Sequence, residues 1–187
     1  MKSIAILASH NGSGFDAIYE AIQTGELSLK VAVVISNNNN AQVIKKAQNL
    51  SLDYYIVNSS TDEIPDDKIY ELLKEHECEY IFLSGYMKKL SSVLTNNFHI
   101  INSHPALLPK YGGKGMYGRF VHEAVLKNGE RVSGVTIHEV DEIYDNGKIL
   151  LQKEIALENG ESVASLEMKI KELEKKAIVE ALKECLN

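Results

Sequence analysis

The 187-residue chain has no tryptophan, three prolines and only two cysteines. Cys78 and Cys185 have no metal-ligand spacing around them, which argues against a disulfide framework and a zinc site. No apolar run of about eighteen residues occurs, so no spanning helix is expected. Met1 to Ser9 turns polar too soon for a signal peptide, and a cytoplasmic location is the default expectation. Twenty basic residues face twenty-six acidic ones, a formal charge of −6, which disfavours a broadly basic nucleic-acid surface. What is present is ordinary for a globular protein: 44% apolar residues, nine tyrosines and charged residues at 25%. This length predicts one domain with a core that needs no staples.

Short apolar runs alternate with helix-period segments through the first hundred residues, the pattern of a mostly parallel α/β sheet flanked by helices. Strands are expected at Ser3 to Ala8, Lys30 to Ile35, Leu52 to Val57 and Tyr80 to Ser84. Helices are expected from Phe15 to Ile22, Ala41 to Asn49 and Asp66 to Glu75. Phe98 to Asn102 reads as a strand entering an irregular stretch, Asn102 to Gly115, whose Leu107 and Leu108 argue against disorder. A helix over Phe120 to Leu126 follows. Val132 to Val140 and Ile149 to Ile155 then read as an antiparallel pair across the turn Asp145-Asn146-Gly147. Val163, Leu166, Ile170, Leu173 and Ala177 recur at helical steps behind Ser162, a good N-cap, and predict a helix across the sheet rather than a coiled coil.

Three places could carry chemistry. Asn11-Gly12-Ser13-Gly14, between a strand and a helix, suits an anion held by backbone N–H groups and the helix dipole, although plain tight turns look the same. The segment lacks the lysine of a P-loop and the three-glycine spacing of a dinucleotide fingerprint. Asn102 and His104 fall where a strand delivers residues to a sheet's carboxyl edge, the usual ligand crevice. An asparagine amide there can donate to a developing oxyanion and a histidine can carry a proton. Ser103 between them has no evident base, and no strained nucleophile turn surrounds it. Asp145 is an ordinary turn former, yet beside His104 its carboxylate would raise the imidazole pKa and orient the ring. Of the other histidines, His10 could touch a phosphate. His76, His99 and His122 read as solvated or packed, and His138 lies on a strand before the acidic turn.

Taken in order, Asn11-Gly12-Ser13-Gly14, Gly85-Tyr86-Met87-Lys88-Lys89-Leu90, Asn102-Ser103-His104-Pro105-Ala106-Leu107-Leu108-Pro109, and His138 with Asp145 seven residues on resemble the folate-dependent formyltransferases. The early loop and the chain length make the phosphoribosylglycinamide formyltransferases the nearest likeness, and the motifs span nearly the whole chain. The resemblance implies a Rossmann-like fold ending in an antiparallel strand pair. Residues 1–100 would be the phosphate-binding half and 101–187 the catalytic and folate-binding half of one formyltransferase domain. It implies formyl transfer from 10-formyltetrahydrofolate, a co-substrate, to the amine of 5-phosphoribosyl glycinamide, with no metal. Partners would be small molecules, with no nucleic acid or membrane, in a monomer or homodimer.

By the same resemblance, Asn102, His104 and Asp145 form the catalytic trio, with His104 kept protonated by Asp145. Asn11, Gly12, Ser13 and Gly14 bind the substrate phosphate, and Lys171 and Glu174 reach the amine substrate. Met87, Lys88, Lys89, Leu90, Asn102, Asp141, Glu142, Ile143 and Tyr144 line the folate site, and Leu108–Pro109 is a cis peptide. This sequence departs from the family in places. Gly14 stands where asparagine is frequent, Lys88 where arginine is, and Lys175 where histidine is. No arginine lies between Val57 and Asp67, and Lys110 to Gly118 is longer and richer in glycine. Rival readings are a formyltransferase acting on another amine such as a sugar nucleotide or an aminoacylated tRNA, a hydrolase releasing formate, and a noncatalytic folate-binding module. The tRNA and hydrolase versions would need extra regions that this chain is not expected to carry.

Overall fold

The structure, a computed structural model, describes residues 1–186. Seven strands form one sheet: β1 (Lys2–Leu7), β2 (Leu29–Ser36), β3 (Tyr54–Ile56), β4 (Tyr80–Leu83), β5 (His99–His104), β6 (Val132–Glu139) and β7 (Ile149–Ala156). Six helices connect them: α1 (Ser13–Gln23), α2 (Gln42–Asn49), α3 (Pro65–Glu75), α4 (Ser92–Thr95), α5 (Arg119–Lys127) and α6 (Val163–Leu186). The sheet order is β3-β2-β1-β4-β5-β6-β7, parallel through β5 and antiparallel at β5/β6 and β6/β7.

Alternation along β1 builds both halves of the core. Ile4 and Ile6 face the layer that holds α1, α5 and α6, whereas Ala5 and Leu7 face α3 and α4. The last helix lies across the sheet as its spacing implied. Leu166, Ile170 and Ala177 are fully buried, and Ser162 Oγ accepts the Ser165 N–H at 3.1 Å, the expected cap. Leu108–Pro109 is cis, as the resemblance implied.

Three expectations are corrected. The first helix begins at Ser13, so Ser13 and Gly14 belong to its opening turn, not to the preceding loop. The strand placed at Phe98 to Asn102 runs from His99 to His104. Its polar tail stays in the ladder because Asn102 pairs with Leu83 on one side while Ser103 and His104 pair with Ile137 and Thr136 on the other. The third strand keeps only Tyr54 to Ile56, and the four-residue α4 carried no sequence signal.

Strand order reverses at β1, with β2 on one side and β4 on the other. A crevice opens at such a point, because the connections leaving the two carboxyl ends diverge. Here those are the Ser9 to Gly12 loop after β1 and the Ser84 to Leu90 segment after β4.

Candidate active site

Gly12 caps α1 in the left-handed region, φ +66°, and a Cβ there would lie 2.7 Å from Val43 Cγ2. Only glycine meets both demands. The next glycine has another reason: a Cβ on Gly14 would come within 2.7 Å of the Phe82 ring and 3.0 Å of Ser84 Oγ, so its absence lets α1 settle on β4. Ser84 Oγ accepts the Phe15 N–H at 3.1 Å. The N–H groups of Ser13 and Gly14 meet no acceptor among the described residues and sit at the positive end of the helix, as an anion site requires. Lys46, not foreseen, steadies this loop by donating to the Asn11 carbonyl at 2.8 Å and pairing with Asp16.

Asn102, His104, His138 and Asp145 converge at the carboxyl end of β5. Asn102 and His138 are directly paired across β5 and β6, and a register shift at Ile137/His138 bends β6 there. His138 Nδ1–H donates to the Glu139 carbonyl at 2.8 Å, which leaves Nε2 as the acceptor for one Asn102 amide N–H at 3.1 Å. The other Asn102 N–H remains for a ligand. Asp145 holds φ +55°, accepts the Gly113 N–H on Oδ2 at 2.8 Å, and stands 3.6 Å from both His104 Nδ1 and His138 Nε2.

His104 donates Nε2–H to the Tyr111 carbonyl at 2.7 Å and is 3% exposed. Burial holds its pKa below the ordinary value. Asp145 and the Tyr111 carbonyl act upward and His138 downward, but desolvation prevails. The expectation that Asp145 keeps His104 charged is therefore corrected. At 3.6 Å the carboxylate makes no hydrogen bond to the ring, and the resting imidazole is pushed toward its neutral form.

These side chains border a cavity of about 900 Å³. Asn11, Gly12 and Ser13 line it, as do Lys171 and Glu174 of α6. Met87, Lys88, Lys89 and Leu90 line it with Asp141, Ile143 and Tyr144, and Ser9 Oγ accepts the Met87 N–H at 2.8 Å, which seats the β1 loop against the β4 turn. Lys89 lies 6.0 Å above the Tyr144 ring and joins those two segments. Glu142 and Gly14 are the two expected residues outside the lining. Glu142 is exposed in the turn and Gly14 is covered by β4 and α6.

Two histidines were given no role in the sequence reading. His138 stood in the family motif and lies on β6 as expected, but its pairing with Asn102 was not visible because the two are far apart in the chain. His122, read as solvated or packed, is 3% exposed on α5, lines the cavity, and has no hydrogen-bond partner for Nδ1 among the described residues. Burial lowers its pKa, with Glu167 opposing and Lys171 and His104 adding to the shift. No three His, Cys, Asp or Glu side chains cluster as metal ligands among the described residues. No helix there is long and apolar enough to cross a membrane.

Against known proteins, a family model described as formyl transferase matches residues 2–182, and the chain belongs to that family. Relatives that it matches include phosphoribosylglycinamide formyltransferases. That of Bacillus subtilis (strain 168) is 31% identical over 191 residues, covering 100% of this chain and 95% of the relative. The chloroplastic enzyme of Vigna unguiculata is 34% identical over 186 residues, covering 97% of this chain. The crystal structure of phosphoribosylglycinamide formyltransferase from Bacillus halodurans aligns with a TM-score of 0.91 at 28% identity, covering 100% of this chain and 96% of that one. The chain spans 60 to 64% of the length of the chloroplastic relatives it matches.

Proposed function

We propose that this chain transfers the formyl group of 10-formyltetrahydrofolate to the amine of 5-phosphoribosyl glycinamide, a step of purine (IMP) biosynthesis. The observation that carries the reading is one shared cavity. An anion-ready helix N-terminus, the partly apolar segments Met87 to Leu90 and Asp141 to Tyr144, and Asn102, His104 and Asp145 all border the same space. A phosphorylated amine fits the first of these features and a pterin the second. We assign Asn11, Gly12, Ser13 and the Gly14 N–H to the phosphate, and Lys171 and Glu174 to the rest of the amine substrate. The folate falls to Met87 through Leu90 and to Asp141, Ile143 and Tyr144, with Glu142 at the margin. On this reading residues 1–100 supply the phosphate half and 101–187 the catalytic and folate half. The chain acts in the cytoplasm, as a monomer or homodimer, on small molecules alone.

In the proposed reaction the neutral amine attacks the formyl carbon, and a C–N bond forms as the carbonyl oxygen becomes an oxyanion. The free Asn102 N–H and the His104 ring donate to that oxygen. His104 reaches it when the Tyr111 carbonyl gives up Nε2–H. The neutral ring stabilises the oxyanion through this Nε2–H as a hydrogen-bond donor, so no further proton is required. Asp145 takes the amine proton through water and it passes to N10 as the C–N10 bond breaks. One proton leaves the attacking nitrogen and one arrives on the leaving nitrogen. The test is consumption of 10-formyltetrahydrofolate with and without phosphoribosyl glycinamide. Consumption that requires this amine is expected. Consumption without any amine favours a hydrolase, and consumption only with an amino sugar nucleotide favours the other transferase reading.

A further inference from the structure

Ser103 is the one residue of the Asn102-Ser103-His104 run that the reaction above leaves without work. Alternation along β5 turns it away from Asn102 and His104 toward the face covered by α6. There Ser103 Oγ donates to Glu174 Oε1 at 2.6 Å, a length typical of a hydroxyl bonded to an ionised carboxylate. Glu174 lines the cavity, and no other hydrogen bond to its carboxylate occurs among the described residues. Burial pushes the Glu174 carboxyl up, while the Ser103 hydroxyl and Lys171 pull it down. Lys171 Nζ is itself paired with Glu167 Oε1, so Ser103 is the group that fixes the carboxylate's direction.

We infer that Ser103 is a positioning residue: it holds one oxygen of Glu174 so that the other faces the cavity, ready to accept a hydrogen bond from the amine substrate. The inference rests on the proposed function for the identity of that substrate. A carboxylate has two acceptor oxygens, and one spent on a neighbouring strand leaves the second in a single orientation. Without the serine, Glu174 would be free to rotate or to take up a proton, and the donor groups of the substrate would lose their acceptor. Because the pair lies on the α6 side of the sheet, its loss should be felt by the amine substrate and not by the folate.

The test is steady-state kinetics on the full chain with each substrate varied, together with calorimetric binding of phosphoribosyl glycinamide. Ser103→Ala should raise the KM and Kd for that substrate about tenfold, with kcat and the folate KM changed by less than about twofold. Ser103→Thr keeps a hydroxyl on the strand and should restore both constants. In a Glu174→Gln background, Ser103→Ala should cost little more, because the two residues act as one unit. Full additivity, an unchanged amine-substrate KM in Ser103→Ala, or an equal loss in both KM values and kcat would overturn the positioning role. The two readings fail differently. Wild-type chain that neither binds nor turns over phosphoribosyl glycinamide overturns the proposed function and this role with it. Normal wild-type turnover with an indifferent Ser103→Ala removes the role alone.

Discussion

Asn102 carries two N–H groups, and the structure commits one of them to His138 Nε2. That division of labour orients the amide and leaves one donor free, the atom the proposed reaction assigns to the oxyanion. Removing one oxyanion donor typically costs about a hundred- to a thousandfold in turnover. Asn102→Ala, His104→Ala and Asp145→Ala should each lose at least that much kcat while keeping a wild-type thermal unfolding profile. A folded Asp145→Ala with near-normal kcat would remove its role. Asn102, His104 and Asp145 were legible in the sequence, two of them because they share one short Pro-bounded motif. The protonation of His104 was not. A neighbouring carboxylate can be guessed from a motif, but the burial that outweighs it depends on the walls that β6 and the Tyr111 loop supply.

The alternation of β-branched runs with amphipathic segments located the elements, since β1, β2 and β4 are buried on both faces and the longer helices on one. What the pattern missed were short or polar pieces. The four residues of α4 span barely one turn, and the Asn102 to His104 tail of β5 is hydrophilic because it faces a cavity. The α1 N-terminus gives a prediction of its own. Gly14→Ala must push against Phe82 and Ser84 and should destabilise by about 1 to 3 kcal/mol in urea unfolding. Gly12→Ala adds a disfavoured φ and should also weaken phosphate binding, because the loop before α1 would have to move. Helix α5 gives another. Burial depresses the His122 pKa below 6.5, so as pH falls the unfolded chain binds that proton first and folded stability is lost from about pH 6.5 downward. Glu174, raised by burial, works in the opposite sense in the acid range. The readout is therefore the difference between wild type and His122→Gln from pH 7.5 to 5.5. The variant should lose less stability on acidification, with one histidine contributing at most about 1.4 kcal/mol per pH unit.

At the level of the molecule, the order β3-β2-β1-β4-β5-β6-β7 turns scattered motifs into one site. The β1 loop, the β4 turn, the end of β5 and the turn after β6 are distant in the chain but open on the same cavity. Sequence order alone could list these segments. Their meeting depends on the parallel crossovers and on the antiparallel return of β6 beside β5, which puts His138 opposite Asn102. The net charge of −6 does not oppose the proposed anionic substrate, because the fixed dipole at the α1 N-terminus acts locally. The central claim is that the cavity joins a formyl donor to a phosphorylated amine. Its most direct test is to supply 10-formyltetrahydrofolate labelled with ¹³C at the formyl carbon together with phosphoribosyl glycinamide and follow the label by NMR. The account predicts that the label appears on the glycinamide nitrogen, in step with folate release. Label recovered as free formate, or left on the folate, would contradict it.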